Sequence, residues 1–220
     1  MFYETQNNDH GLPHDPFKSC VVPRPIAWIS TLSSNGVANL APYSQFQNLT
    51  FDPPYVMFAA NQNTAGNRKD SVVNAEQSGA FVYNMVTYDL REAMNITAQE
   101  VAPDIDEFEL ANVTKAPSRL VKPDRVAESP VQFECRYHQT VRLPGKGKMG
   151  TTDLVIGEVM GVHIKDECIL PDGKLDILRM KPLARLGYYD YTSVESVFEM
   201  LIPGTNEDLR AGMEGVPRTV

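Results

Sequence analysis

The sequence predicts a mainly β protein, an antiparallel barrel or sandwich with a few helices attached. Stretches rich in β-forming residues outnumber helical stretches along the 220-residue chain. Most predicted connections are hairpin-like, and no run of alternating strands and helices is present of the kind that builds a parallel sheet. The chain is long enough to form one domain with a buried core.

The first predicted hairpin follows a polar N-terminal arm. Residues 26–33 alternate in hydrophobicity as a strand does, and Asn35-Gly36 is a strong signal for a tight hairpin turn. Residues 37–50 return as the second strand. Pro42 interrupts that strand, and because proline cannot donate a ladder hydrogen bond, we expect an edge or a bulge there.

The later elements are predicted from periodicity and from turn residues. Residues 100–127 contain many acidic residues and prolines, so we expect a long surface segment there. Gly79 is placed to end the helix before it. The remaining predicted elements are strands at 55–61, 80–87, 131–143 and 152–169 and helices at 68–79, 88–99 and 193–201.

The amino-acid composition of the chain argues against several classes of binding partner. The formal net charge is −8, so a broad basic face for nucleic acid is not expected. The three cysteines show no C-x-x-C spacing, so neither a disulfide framework nor a zinc site is expected, and we predict no metal. The N-terminus does not resemble a signal peptide, and the apolar runs are too short to span a bilayer. We therefore expect a cytoplasmic protein without a membrane partner.

Residues 145–150, GKGKMG, fit the G-x-G-x-x-G spacing of a dinucleotide-binding loop. Such a loop needs a helix directly after it, because the helix N-terminus supplies amide donors for the pyrophosphate. The residues that follow are rich in β-branched side chains and show no helical stripe. We therefore predict a glycine loop between two strands. An alternative in which Lys146 and Lys148 close over a bound anionic ligand stays open.

A better phosphate site is predicted at residues 61–74. A strand ends near Asn61, a polar loop follows, and Arg68 and Lys69 stand directly before a helix. A forked guanidinium, hydroxyl groups and free amides at a helix start are donors that suit a terminal phosphate. Taken alone, these residues are better explained by an ordinary capped helix, with Asp70 and Ser71 as caps and two solvated cations.

The predicted hairpin carries a second group of polar residues. Ser30 and Thr31 stand in an otherwise apolar strand, and polar side chains surround Pro42 in NLAPYSQFQN. A flat heteroaromatic ring would suit such a stretch, held against apolar walls and hydrogen-bonded at its edge. A polar outer face of a half-exposed hairpin is the alternative, and composition alone does not separate the two.

Three stretches, in this order and spacing, resemble the flavin reductase-like family: RPIAWISTLSSNGVANLAPYSQF, DPPYVMFAANQNTAGNRKDSVVN and GAFVYNMV. The resemblance implies a six-stranded antiparallel Greek-key barrel, the FMN-binding split barrel, with a few flanking helices. It also implies a homodimer with FMN near the subunit interface. The chain is accordingly divided into an N-terminal arm at 1–19, a split-barrel domain at 20–191 and a C-terminal helix and tail at 192–220.

The family's flavin contacts are carried over to the matching positions of this chain. The resemblance assigns the phosphate to Arg68, Lys69 and Ser71, and Asn61 is a further contact. The implied cofactor-binding residues are Ser30, Thr31, Asn39, Leu40, Ala41, Pro42, Tyr43, Ser44, Asn61, Arg68, Lys69 and Ser71.

The function implied by the resemblance is that of an NAD(P)H:FMN flavin reductase, which passes a hydride from NADH or NADPH to FMN. This reaction needs no general acid with a tuned pKa, so no catalytic residue is predicted. Three alternatives stay open. They are a non-catalytic FMN-binding electron-transfer protein, a flavin-dependent oxidoreductase or oxygenase component acting on an organic substrate, and a split barrel that binds pyridoxal phosphate.

Overall fold

The structure is a computed structural model that describes residues 1–200 and residue 203. The strands are β1 (Arg24–Pro25), β2 (Ala27–Leu32), β3 (Ala38–Tyr43), β4 (Phe46–Phe51), β5 (Pro54–Asn61), β6 (Ala80–Met85), β7 (Lys115–Ala116), β8 (Arg125–Val126), β9 (Val131–Leu143), β10 (Thr152–Ile164), β11 (Leu183–Gly187) and β12 (Asp190–Ser193). The α-helices are α1 (Asp70–Ser78), α2 (Arg91–Ile96), α3 (Glu107–Leu110) and α4 (Ile177–Met180), with 3-10 turns at Phe17–Ser19 and Asp166–Cys168. None of the helices in the described part of the chain has the length and apolar character needed to cross a membrane.

One antiparallel sheet of seven strands dominates the fold, in the order β3-β2-β6-β9-β10-β5-β4. β3 and β4 form its opposite edges, although only Ser44 and Gln45 separate them in sequence. Two linking residues span at most about 11 Å, since consecutive Cα atoms lie about 3.8 Å apart. The two edges must therefore lie close together, and the sheet curls round on itself. At this corner the backbone N–H of Ala59 donates to the carbonyl of Gln45 at 2.8 Å.

The six strands implied by the resemblance are one too few for this sheet, which has seven. The single strand predicted at 37–50 is two strands, because the chain bends at Ser44 and Gln45 and enters the other edge of the sheet. Pro42 lies in β3, on the outer edge, where its missing N–H costs no ladder bond. The expectation of an edge strand at this proline is confirmed.

Several local predictions are confirmed. β2 and β3 pair across the turn at Asn35-Gly36, and α1 ends at Gly79, whose φ of 72° is left-handed. β9 and β10 pair as the long antiparallel hairpin. The glycine loop at 145–150 joins these two strands, so no helix N-terminus follows it to bind a pyrophosphate.

The helix predicted at 193–201 does not form in residues 194–200, the part of it that the structure describes. Ser193 instead ends β12. A short helix depends on tertiary packing of its apolar face, and the side chains of Val197 and Phe198 are largely exposed. The rest of the predicted C-terminal tail, apart from Pro203, lies outside the described residues.

β2 is buried on both faces, which decides what its polar residues can do. Successive side chains of a strand point to opposite faces. Ile29 faces the barrel core with Phe81, whereas Trp28 faces a second core beside α2 and α3, which contains Phe108. Polar side chains in such a strand need partners inside the protein.

Candidate functional site

A cleft opens between the start of α1, strand β3 and the segment that links α2 to α3. It brings together predicted residues from two distant stretches of sequence, namely Asn39, Ala41, Pro42, Tyr43, Arg68, Lys69 and Ser71. Its other lining residues, which the sequence analysis did not select, are Asn63, Asp70, residues 97–101 and Glu107. The cleft is therefore the candidate cofactor site.

A buried polar network fixes the start of α1 against the barrel. The Oδ1 atom of Asn39 accepts hydrogen bonds from Ser71 Oγ at 2.7 Å and Thr31 Oγ1 at 3.2 Å. The Nδ2 atom of Asn39 donates to Glu107 at 2.7 Å, and Asn74 donates to Thr31 at 3.2 Å. Buried hydrogen bonds of this kind are strong and specify geometry. The network joins β2, β3, α1 and α3, and so positions the mouth of the cleft.

Three donors at the mouth of the cleft converge on one carboxylate, that of Glu100. Lys69 Nζ donates at 2.8 Å, Thr64 Oγ1 at 2.6 Å and the Thr64 backbone N–H at 3.2 Å. The hydrogen bond from Lys69, followed by the one from the Thr64 hydroxyl, lowers the pKa of Glu100 to about 2. These donors therefore fit a group that carries anionic oxygen atoms, and in this structure the carboxylate of Glu100 is that group.

The start of α1 adds further donors to the cleft. Lys69 occupies the N-cap position and makes no side-chain cap hydrogen bond. The predicted capping by Asp70 and Ser71 is not formed, because α1 begins at Asp70 and both residues stand inside its first turn, where Ser71 donates to Asn39. The first N–H groups of a helix have no partner within the helix, so an uncapped start favours an anion.

Arg68 is paired with two carboxylates of this chain, those of Glu76 and Asp153. Its Nη1 and Nη2 atoms bind the two carboxylate oxygens of Glu76 at 2.8 and 2.6 Å, and its Nε donates to Asp153 at 2.9 Å. These acids, Glu76 first, raise the pKa of Arg68. Arg68 therefore ties α1 to β10 with three of its five donors. The phosphate contact predicted for Arg68 stays a prediction.

Glu107 is a buried carboxylate behind β3 that sequence reasoning missed. It accepts hydrogen bonds from Asn39 and from the backbone N–H of Leu40, the latter at 3.1 Å. Burial raises its pKa, despite these donors. The sequence predicts a surface segment here. A signal for a short helix was available, because Asp106 directly precedes Glu107–Leu110 and aspartate is a preferred N-cap residue; in the structure Asp106 caps α3 by accepting from the N–H of Phe108.

The remaining predicted residues do not line the cleft; they are Ser30, Thr31, Leu40, Ser44 and Asn61. Ser30 is fully buried and donates to the carbonyl of Asp124 at 2.6 Å. Asn61 donates to the carbonyl of Met149 at 3.0 Å, and so holds the glycine loop rather than the cleft. The predicted flavin contacts of all five stay predictions, and the side chains of Ser30, Thr31 and Asn61 already have partners in this chain.

Comparison with known proteins gives the family. The model of the flavin reductase like domain matches residues 19–184. An uncharacterised protein of Halalkalibacterium halodurans is 31% identical over 188 residues, which are 86% of this chain and 90% of that protein. Another, from Aquifex aeolicus, is 34% identical over 77% of this chain and 84% of its own length.

A solved structure agrees with these matches. Nitrilotriacetate monooxygenase component B from Bacillus cereus superposes with a TM-score of 0.81 at 29% identity, over 91% of this chain and 98% of its own. The fold, the cleft and the sequence match lead to one conclusion. The chain belongs to the flavin reductase-like family of flavin-binding oxidoreductases.

Proposed function

We propose that the chain binds FMN in this cleft and acts as an NAD(P)H:FMN oxidoreductase. The observation that carries the proposal is the convergence of Lys69 and Thr64 on a carboxylate. Donors arranged to hold one anionic oxygen group also suit a phosphate. They stand beside the uncapped start of α1, at one end of a cleft that Pro42 and Tyr43 line.

Each part of the cleft has a role in this proposal. Lys69, Thr64 and the first turn of α1 would bind the phosphate, and β3 would orient the ring system. Burial raises the pKa of Tyr43 above its ordinary value of 10.0, so its phenol stays protonated throughout the neutral and mildly alkaline range. When bound, FMN supplies the redox chemistry by accepting a hydride from NADH or NADPH. The protein binds and orients its ligands and needs no residue that moves a proton.

A second candidate function is the reductase component of a two-component monooxygenase. Similarity to nitrilotriacetate monooxygenase component B, at 29% identity over nearly the whole of both chains, favours it. In that role the protein would release reduced FMN to a partner enzyme. The site would be the same, so the two candidates differ in whether FMN leaves as a product.

The family resemblance also supports two proposals about setting. We propose a homodimer with FMN near the subunit interface, in the cytoplasm. Light scattering after gel filtration measures the oligomeric state. A monomer that binds FMN as tightly as the dimer would show that the partner subunit contributes nothing to the site.

The test of function is an FMN titration of the purified protein, followed by steady-state oxidation of NADH and of NADPH with excess FMN. Binding with turnover is the expected result. Binding without turnover by either nucleotide would reject the reductase and leave the electron-transfer protein. A protein that binds pyridoxal phosphate and not FMN would reject all of the flavin functions.

A further inference from the structure

The donors that the proposed function assigns to a phosphate already hold a carboxylate of this chain. Lys69 Nζ contacts Oε1 of Glu100, and Thr64 Oγ1 contacts Oε2. The Glu100 side chain is 35% exposed, so it is neither locked in the core nor free in solvent. An exposed ion pair of this kind contributes little to stability and can be exchanged for another.

We propose that Glu100 is a specificity-determining residue that competes with the anionic end of the ligand for Lys69 and Thr64. The inference rests on the proposed function. A phosphate and the Glu100 carboxylate cannot occupy the same donors, so a phosphate-bearing flavin has to displace Glu100. The contacts that Glu100 loses reduce the affinity of the protein for FMN. Riboflavin, which lacks the phosphate, leaves Glu100 in place, so its affinity is not reduced in this way.

The segment that carries Glu100 is attached mainly at its two ends. At one end the buried Thr97 accepts a hydrogen bond from Trp28 Nε1 at 2.8 Å. At the other end Glu107 is bound to β3. Between them, residues 98–105 are exposed except for Val101. Segments with few buried contacts open at the lowest free-energy cost.

The size of the cleft agrees with displacement. Its volume is about 120 Å³ with residues 97–101 against α1. Sites for small organic ligands typically measure roughly 300 to 1,000 Å³. With Glu100 bound to Lys69 and Thr64 there is no room for a phosphate between these donors, so the segment has to move at that end of the cleft before the phosphate of FMN can enter. Asp70 and Glu107 also line the cleft, so the departure of Glu100 removes one of several negative charges near the phosphate position.

The inference bears on how flavin is used. A competing carboxylate weakens the hold on FMN at the point where the cofactor is most strongly charged. The site then favours exchange of flavin over permanent retention, which is what a reductase that releases its product requires.

The experiment compares Glu100→Gln with Glu92→Gln, a matched change at an acid of α2 whose side chain is 79% exposed. Dissociation constants are measured for FMN, for riboflavin and for inorganic phosphate. We expect Glu100→Gln to bind FMN about three- to fivefold more tightly, since the exposed ion pair that no longer competes is itself weak. Its affinity for riboflavin should change by less than about twofold, the measurement limit for this purpose. The Glu92 variant should match wild type for all three.

Two results would overturn the inference while FMN binding itself stands. One is unchanged FMN affinity in Glu100→Gln, and the other is an equal gain for FMN and riboflavin.

If wild type binds neither flavin, the proposed function fails, and competition by Glu100 is then tested by the affinity for inorganic phosphate alone. Tighter phosphate binding by Glu100→Gln than by wild type then supports it, and equal binding rejects it. Glu100→Ala, which removes the contact altogether, should show at least the same gain.

Discussion

Arg68 and Lys69 are adjacent and carry the same charge, yet their surroundings differ. Arg68 is bound by Glu76 and by Asp153, whose side chain is only 2% exposed on strand β10. Lys69 is bound by Glu100, from a largely exposed segment. One partner of the first cation, Asp153, is a buried carboxylate, whereas the sole carboxylate partner of the second among residues 1–200 is exposed. A basic pair next to a helix therefore need not supply two ligand contacts.

The difference follows from desolvation. A carboxylate buried on a strand has lost its hydration, so removing its cationic partner costs several kcal/mol, on the order of 3 to 5. A carboxylate at the surface is hydrated again when the ion pair opens, so breaking that pair costs about 1 kcal/mol or less. We therefore expect Arg68 to stabilise the fold and Lys69 to be available to a ligand.

The largest expected effect is on the Arg68 side. Asp153→Ala should lower the free energy of unfolding by about 3 kcal/mol, at the low end for a broken buried ion pair because Arg68 is partly exposed. Glu158→Ala is the control, since Glu158 lies on the same strand and pairs with the exposed Arg136. It should cost less than about 1 kcal/mol. Urea unfolding measures both, and equal losses would remove the distinction between the two cations.

The next effect is on the Lys69 side. Lys69→Ala should weaken FMN binding by about 1.5 kcal/mol, roughly tenfold, because one charge-assisted contact to the phosphate is lost. Riboflavin affinity and the urea midpoint should stay near wild type. Lys174→Ala, at a lysine whose side chain is 80% exposed, is the control. The loss should be greater in the Glu100→Gln background, where no carboxylate competes. An equal loss of riboflavin affinity would show that Lys69 does not contact the phosphate.

A smaller effect tests Arg68 directly. Arg68→Lys keeps the charge but loses the fork that binds Glu76. We expect it to lower the free energy of unfolding by about 1 kcal/mol and to change FMN affinity by less than about threefold. Flavin fluorescence titration of the variant measures the second quantity. A tenfold loss of FMN affinity without loss of stability would indicate that Arg68 contacts the phosphate.

The smallest effect concerns the buried Glu107 and its pH dependence. Its pKa is raised in the folded state, so the folded protein holds a proton that the unfolded chain releases. The contribution of Glu107 to stability therefore falls as pH rises from its ordinary pKa, 4.5, through the folded value. The stability of Glu107→Gln relative to wild type should rise as pH rises through that window, whereas the stability of Glu109→Gln, at an exposed acid of the same helix, should not. Urea unfolding across that pH range measures the difference, and parallel curves for Glu107→Gln and wild type would contradict the assignment.

Local signals in the sequence predicted much of the fold. The alternation of β9 and β10 and the glycine after α1 act over a few residues, and the structure confirms them. The corner at Ser44 and Gln45 was missed because it contains no glycine, asparagine or aspartate, and a serine hydroxyl is only a weak turn signal. The helix at 193–201 was predicted from its pattern alone, but an apolar stripe forms a helix only where something covers it.

The candidate site was predicted less completely, because its decisive contacts are long-range. Residues of β3 and α1 were identified as neighbours through the family resemblance. Glu100 binds Lys69 from 31 positions away, and Glu107 binds Asn39 from 68 positions away. No local pattern encodes such pairs. The same holds for Arg68, whose partner Asp153 lies 85 positions further along the chain.

The short corner between β3 and β4 has a consequence for binding kinetics. Ser44 and Gln45 hold one end of β3, and the turn at Asn35-Gly36 holds the other. We therefore expect the wall of the cleft that β3 forms to stay in place when a ligand binds, and residues 98–105 to be the part that opens. The observed rate of FMN association should then level off at high FMN concentration, at the rate with which that segment detaches from α1.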